Sequence, residues 1–275
     1  MVAANTGDLQ KAVDDWALMA EDGLALGADD LMSFGYGGVG YGSLGMGRLV
    51  EAGPPLDEAL RYAERCGNDF LIALWRTVKG MQLFATCDAA GGAALVGLAR
   101  RIQVRIGDFE GGGMALSFLA SMAFSGGDLV RTLALYRESE AAFATVGDKP
   151  ELARVQCETG YAALAADDLT EARRCFERAL RTNNEVGSPR GTGQALLGLA
   201  ATEAAAGNVE RAVAIAAAAQ VMSAKAGVVV AHPMAPGVAE RIEALRASIP
   251  KQELDALVAS GSAMSPAAVL ALIAG

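Results

Sequence analysis

The sequence predicts an all-α fold: a right-handed solenoid of stacked helical hairpins with a 40-residue period, closed by a C-terminal helical cap. The composition is the first observation behind this prediction, because it is 52% hydrophobic but only 5% aromatic, with Ala and Leu dominant. Such a composition favours helix over strand. The second observation is a glycine that recurs once in every such period: Gly27, Gly67, Gly107, Gly147, Gly187 and Gly227. Self-similarity at a fixed period is the signature of a repeat architecture, here of about five hairpins.

Three further series keep the same phase and assign a role to each part of the repeat. One marks a turn between helices: Gly7-Asp8, Gly47-Arg48, Cys87-Asp88, Gly127-Asp128, Asp167-Asp168 and Gly207-Asn208. Two consist of small residues: Gly40, Gly80, Ala120, Gly160 and Ala200, then Ala12, Ala52, Gly92, Thr132, Ala172 and Ala212. We expect the small residues where paired helices cross closely. We expect the glycines of the first series to end helices with positive φ, and Asp8, Asp128 and Asp168 to act as N-caps.

The clearest copy of the repeat is "GYAALAADDLTEARRCFERAL", residues 160–180, in which apolar residues recur at helical spacing. This segment resembles the tetratricopeptide repeat (TPR), whose small–aromatic–small pattern is matched by Gly160, Ala163, Ala172, Phe176 and Ala179. The ordinary repeat has a period of about 34 residues. The longer period is similar to the variant found in large bacterial regulators that couple an NTPase to a repeat array, with LuxR-type or cyclase domains. The resemblance implies a TPR-like array over residues 1–227 and capping helices over residues 228–275.

The two ends of the chain support the same interpretation. After Gly227 the phase is lost, and we expect one helix from about Val238, a second from Lys251, and a last short helix with Ser265 as N-cap and Pro266 at its first position. At the other end, "AANTG" at residues 3–7 aligns with the last turn of a first helix. We therefore favour an excised C-terminal piece of a regulator over a short stand-alone protein.

The run "GYGGVG", residues 35–40, reads as the dinucleotide-binding pattern G-x-G-x-x-G. That fingerprint requires a preceding strand, whereas "GADDLMSF" before it reads as a helix start, so we predict no cofactor. Seven glycines between Gly35 and Gly47 exceed what packing alone predicts and make this helix intrinsically poor. The interpretations that stay open are a locally adaptable unit and tight packing. Pro54-Pro55 predicts that the following helix is shortened to about residues 56–66.

The remaining composition argues against several function classes. A net charge of −9 disfavours direct nucleic-acid binding, and we expect neither a membrane span nor a signal peptide, hence a cytoplasmic protein. The acidic N-terminal segment is interpreted as a solvated helix face rather than as a docking site for a basic partner. Cys66, Cys87, Cys157 and Cys175 lack metal-site spacing, and His232 lies in a linker without catalytic context, so we predict neither a metal site nor an enzyme.

In TPR proteins the first helix of each hairpin lines the inner groove, and the resemblance places the groove positions of this chain by phase. The predicted groove residues are Phe34, Tyr41, Leu74, Met81, Phe84, Met114, Ser121, Phe124, Arg154 and Tyr161, with Gln194 continuing the first row. A groove rich in Met and Phe suits a protein or peptide partner, including the chain's own upstream NTPase domain or a second copy of the chain. A hydrophobic small molecule carried by a stand-alone sensor is the alternative. Packing between hairpins explains the same side chains equally well.

Overall fold

The structure is a computed structural model that describes residues 9–227, 234 and 237–274. Every regular element in this part of the chain is a helix, as predicted, and none is a strand. The helices are α1 (Leu9–Leu26), α2 (Asp29–Gly45), α3 (Gly53–Cys66), α4 (Asp69–Ala85), α5 (Ala89–Ile106), α6 (Phe109–Ser125), α7 (Leu129–Val146), α8 (Lys149–Ala165), α9 (Leu169–Glu185), α10 (Pro189–Ala205), α11 (Val209–Ala226), α12 (Val238–Ala247), α13 (Lys251–Ser262) and α14 (Pro266–Ala274).

The chain forms two compact units, residues 1–126 and residues 127–275. Unit 1 contains α1–α6, and each helix packs on the next one along the chain. Unit 2 contains α7–α14, in which α7–α11 pack in the same sequential way and α11 also contacts α12 and α13. First helices (α2, α4, α6, α8, α10) therefore alternate with second helices (α1, α3, α5, α7, α9, α11) in the predicted 40-residue frame. The predicted domain division at residue 227 stays a prediction.

The turns confirm the roles assigned to the recurring residues. Each of the six glycines of the first series has positive φ, between 65° and 72°. In the other turn series Gly47, Gly127 and Gly207 have positive φ, and so do the non-glycine residues Cys87 (71°) and Asp167 (60°). A chain that turns at both helix ends through left-handed residues produces antiparallel hairpins at a constant period.

Capping side chains start most helices. Asp128 and Asp168 accept hydrogen bonds from the backbone N–H groups of Arg131 and Glu171, both at 3.0 Å, as predicted. The same role is filled at other helices by residues that the sequence analysis did not assign: Asn68, Asp88, Asp108, Asp148 and Ser188. Asp8, the third predicted N-cap, lies outside the described residues, and so does His232, which was predicted to lie in a linker. An N-cap of this kind stabilises a helix by about 1 kcal/mol.

The two small-residue series lie where first and second helices cross, also as predicted. All members of both series are buried. Gly80 and Gly92 show why small residues are needed: a Cβ on Gly80 would lie 2.8 Å from the Gly92 carbonyl oxygen, and a Cβ on Gly92 would lie 2.6 Å from the Gly80 carbonyl oxygen. The backbones of α4 and α5 touch at this point, so no larger residue fits without separating the helices.

The Gly-rich segment forms helix α2 and not a nucleotide-binding turn. The expectation that packing alone cannot explain its glycines is wrong for most of them. A Cβ on Gly37 would lie 2.2 Å from Trp75 Cε2, and one on Gly38 would lie 2.4 Å from Trp16 Cγ. Comparable approaches of 2.6 Å or less occur at Gly35, Gly40 and Gly42, and Gly47 has a φ of +75°. The glycines thus make room for two tryptophans and for the neighbouring backbones.

The expected effect of the two prolines is corrected in one respect. Helix α3 begins at Gly53, so Pro54 and Pro55 lie inside its first turn instead of before it. Proline is tolerated there because the first N–H groups of a helix have no intrahelical partner. At 14 residues, α3 is nevertheless shorter than the 17- and 18-residue helices around it.

The core of unit 2 is built around Phe176, a fully buried side chain of α9. A Cβ on Gly160 or on Gly198 would lie 2.8 Å or 2.2 Å from this ring, so the ring fits between α8 and α10 only because both residues are glycines. The C-terminal helices add Ile242, Val269 and Ile273 to the same core. They begin close to the predicted residues, and the Ser265 hydroxyl accepts from the Ala268 N–H at 3.2 Å, which confirms the predicted cap.

Candidate functional site

Eight of the predicted groove residues lie on the first helices of unit 1. Within a helix they are seven or ten positions apart from the first of them, and this spacing places them on one face of that helix. Tyr41 is exposed (45%), and the other seven are half-buried: Phe34, Leu74, Met81, Phe84, Met114, Ser121 and Phe124. Partial burial means that each side chain packs on its neighbours with one side and offers the other side to solvent.

Contacts within unit 1 show what this packing is. Phe34 meets Trp75 edge-on with ring centroids 5.8 Å apart, and Tyr41 meets Trp16 in the same way at 6.5 Å. Phe84 packs against the buried cluster of Val96, Ala115 and Met122. The Ser121 hydroxyl donates to the Ser117 carbonyl at 3.1 Å. These side chains therefore contribute to the packing of the hairpins of unit 1.

Tyr161 in unit 2 does not line a groove, contrary to the sequence-based prediction. It is 1% exposed, its ring meets Phe176 edge-on at 4.8 Å, and its hydroxyl donates to the Gln194 carbonyl at 3.2 Å. Burial raises the pKa of this phenol well above its usual range, so it stays protonated. Tyr161 is buried because the glycine at residue 160 leaves room for Phe176 of α9, so that α9 packs closely on α8 and covers Tyr161.

Arg154 lies at an open cleft of about 440 Å³ between α8 and α10. The lining residues on α8 include Glu151, Arg154, Cys157 and Glu158, and those from the other elements include Asn183, Arg190, Gly191 and Gln194. Arg154 and Gln194 occupy the same position of successive repeats, so the cleft lies on the predicted first-helix face. Arg154 and Gln194 were predicted to lie in the groove, whereas the other polar residues of the cleft were not.

The cleft holds an ordered network of charges. The Arg154 guanidinium donates from Nε to Glu151 at 2.8 Å and from Nη1 to Glu158 at 2.7 Å. Burial by itself would lower the pKa of Arg154, but the carboxylates of Glu158 and Glu151 outweigh it and raise that pKa, so Arg154 is a permanent cation. Residues 151, 154 and 158 fall on one helix face by the spacing i, i+3, i+7. That spacing is the sequence signal that could have revealed the network.

Across the cleft, Arg190 is exposed and Gln194 is half-buried, and neither side chain has a hydrogen-bond or ion-pair partner among the described residues. Gly191 lets α9 reach this wall, because a Cβ there would collide with the Asn183 amide. The cleft thus offers an unpaired guanidinium and a free amide opposite a Glu–Arg–Glu network whose charges are mutually paired. Such donors recognise carboxylates and backbone carbonyls.

The flanking helices are held firmly. Glu203 on α10 is fully buried and accepts from Arg173 of α9 at 2.6 Å and from the Asn208 side chain at 2.8 Å. A buried carboxylate with two partners fixes the relative positions of the elements that supply them. The Tyr161 hydroxyl of α8 donates to the Gln194 carbonyl of α10, which links the two walls of the cleft directly. A preformed cleft lowers the entropic cost of binding.

The described residues that line the cleft offer no reactive thiol. Cys157 is the only thiol among its described lining residues, and burial raises the pKa of that thiol far above neutrality, so it is a protonated, weak nucleophile. Within the described ranges, no group of three or more His, Cys, Asp or Glu side chains could hold a metal ion. Likewise, none of the described helices is long and apolar enough to cross a membrane.

These features define a TPR-like helical repeat array. Solved structures support the fold. BtubC (BKLC) from P. vanneervenii is similar over 82% of this chain and 94% of its own, with a TM-score of 0.69 and 18% identity. A putative kinesin light chain of Podosopora anserina with nearly identical TPR-like repeats is similar over 70% of this chain and 94% of its own, with a TM-score of 0.57 and 16% identity. No protein-family profile and no curated protein matches the chain.

Proposed function

We propose that this chain is a non-catalytic interaction module that binds a segment of a partner protein on the first-helix face, with the cleft between α8 and α10 as the anchoring point. The observation that carries the proposal is the pair of unpartnered donors, Arg190 and Gln194, in a preformed open cleft. The partner segment presents an acidic side chain to Arg190 and a backbone carbonyl to Gln194. An open, charged cleft suits a polypeptide better than it suits a hydrophobic small molecule.

Selection of peptides from a random displayed library against the purified chain tests this proposal. The enriched peptides should contain an acidic residue and should lose at least about tenfold in affinity to the Arg190→Glu variant, since a charge-assisted hydrogen bond contributes about 1.5–3 kcal/mol. The control is Arg131→Glu, which makes the same charge change at an exposed position of α7. Equal loss in both variants, or failure to enrich any peptide, would contradict the proposal.

We also propose that the chain is part of a bacterial signalling or transcriptional regulator. The support is the 40-residue period followed by three helices. This pattern resembles, in the sequence, the repeat arrays of such regulators. The genomic sequence upstream of the Met1 codon decides this point. An NTPase or cyclase domain in the same reading frame supports the regulator, whereas a stop codon followed by a ribosome-binding site contradicts it.

A further inference from the structure

A second open cavity, of about 510 Å³, lies in unit 1 between the second helices α1 and α3, with α2 as its floor. It is separate from the predicted groove residues, because its floor residue Ser43 follows Phe34 by nine positions and therefore lies about 180° around α2. Its volume is in the range of small-molecule sites, which is roughly 300–1,000 Å³. On the α1 side the cavity is lined by the small side chains of Ala17 and Ala20, which occupy little of its volume.

The lining combines apolar walls with an excess of negative charge. Val13, Val39 and Pro55 supply apolar surface, and Glu21 and Glu51 are two exposed carboxylates. Neither carboxylate forms an ion pair or side-chain hydrogen bond with another described residue. Carboxylates without a protein partner keep their full attraction for a cation brought to the cavity.

Arg48 is the one basic residue among the described residues that line the cavity. Its guanidinium donates to the Gln10 side chain at 3.2 Å. With Glu21 and Glu51, it leaves the lining with a formal charge of −1. Helix α1 adds three exposed acids, Asp14, Asp15 and Asp22, and one exposed base, Lys11. The negative charges outnumber the positive ones, so the local field favours a cation over an anion.

Ser43 provides independent evidence for a ligand. It lines the cavity and is only 7% exposed, yet its hydroxyl has no hydrogen-bond partner among the described residues. Other buried hydroxyls of unit 1 do have partners: Thr77 donates to the Ala73 carbonyl at 3.0 Å, and Ser33 donates to the Ala59 carbonyl at 2.9 Å. The Ser43 hydroxyl therefore faces the open cavity without a protein partner, and it can both donate a hydrogen bond to a ligand and accept one from it.

We propose that this cavity binds a small organic amine. Its ammonium group donates a hydrogen bond to the Ser43 hydroxyl and is attracted by Glu21 and Glu51, while its apolar body packs on Val13, Val39 and Pro55. This site does not depend on the proposed peptide-binding function of the cleft in unit 2, and the two can be tested separately.

Three probes with one phenyl-containing body and different charges test the proposal: phenethylamine, the zwitterion phenylalanine and the anion phenylacetate. Each is titrated into the full chain, with the dissociation constant read from protein NMR shifts. Phenethylamine should bind at least about tenfold more tightly than either of the others, which corresponds to about 1.4 kcal/mol. Absence of binding by phenethylamine, or tighter binding of phenylalanine or phenylacetate, would overturn the proposal.

Variants locate the site. Glu21→Gln and Glu51→Gln should each weaken phenethylamine binding several-fold, and Ser43→Ala should weaken it about fivefold, the effect expected for one hydrogen bond. Ala17→Leu, which fills the cavity from the α1 side, should abolish binding. The matched controls are Glu110→Gln and Ser125→Ala, at exposed positions of α6. If the controls weaken binding as much as the cavity variants do, the amine binds elsewhere and the assignment is wrong.

Discussion

Replacing Gly37 by alanine tests directly whether the glycines of α2 exist for packing. The new Cβ would lie 2.2 Å from Trp75 Cε2, whereas carbon atoms in contact are normally about 3.5–4.0 Å apart, so the indole must move by more than about 1 Å. Trp75 is 4% exposed, and its Nε1 donates to the Ser33 hydroxyl at 3.1 Å. That hydroxyl donates in turn to the Ala59 carbonyl at 2.9 Å. The shift therefore strains the core and a chain of two buried hydrogen bonds.

The magnitude follows from three contributions. Overpacking of a well-filled core costs about 1–3 kcal/mol, and disturbing one buried hydrogen bond costs about 1 kcal/mol. Alanine regains about 1 kcal/mol of helix propensity. Gly37→Ala should thus lower the free energy of unfolding of unit 1 by about 1–3 kcal/mol, because the first cost is the largest of the three.

Urea unfolding followed by tryptophan fluorescence measures this change, since the two tryptophans of the chain, Trp16 and Trp75, both lie in unit 1. The control is Gly97→Ala in α5, where no described atom lies within 4 Å of the added Cβ. This control should raise the stability by about 0.5–1 kcal/mol. If Gly37→Ala is as stable as the unmodified chain, the packing explanation of the glycines is refuted.

Three further predictions concern other parts of the array. Gly198→Ala should destabilise unit 2 by about 1–3 kcal/mol in chemical unfolding, because its Cβ would collide with the buried ring of Phe176; unchanged stability would contradict the account of that core. Cys87→Gly should raise the stability of unit 1 by up to about 1 kcal/mol, since Cys87 has a φ of 71° that glycine adopts without strain; a loss would show that its side chain matters more. Iodoacetamide at mildly alkaline pH, followed by mass spectrometry, should modify two thiols in the folded protein and four in urea. The reactive pair should be the exposed Cys66 and Cys87, whereas Cys157 and Cys175 are buried, and burial raises the pKa of Cys175 to about 11; rapid labelling of the buried pair would contradict the core assignment.

Much of the fold is predictable because single residues that recur in every repeat mark the beginnings and ends of the helices. A left-handed helix end favours glycine, and a first helical turn favours a side-chain acceptor, so Gly147 and Asp128 mark boundaries without any knowledge of the partner helix. The position of the prolines at residues 54 and 55 relative to the helix is less predictable, because proline both breaks helices and starts them. Only the position of the chain before Gly53 distinguishes these two roles.

The glycines of α2 and the cleft of unit 2 were less predictable for a common reason. Gly37 is matched to Trp75, and Arg154 faces Arg190 across the cleft. Neither pair is separated by the 40-residue period, so aligning the repeats does not bring these residues together. Tyr161 shows the converse: its phase is that of a groove residue, but the small neighbour Gly160 turns the site into core.

The central claim is that the first-helix face of unit 2 binds a protein segment. The most direct test is an NMR titration that follows each backbone amide of the chain while the tightest-binding peptide from the random library is added. The account predicts that the largest shift changes fall on residues 151–158 of α8 and on residues 188–194 at the start of α10, and that the Arg190→Glu variant suppresses them. Shift changes confined to the second helices, or unaltered in that variant, would contradict it.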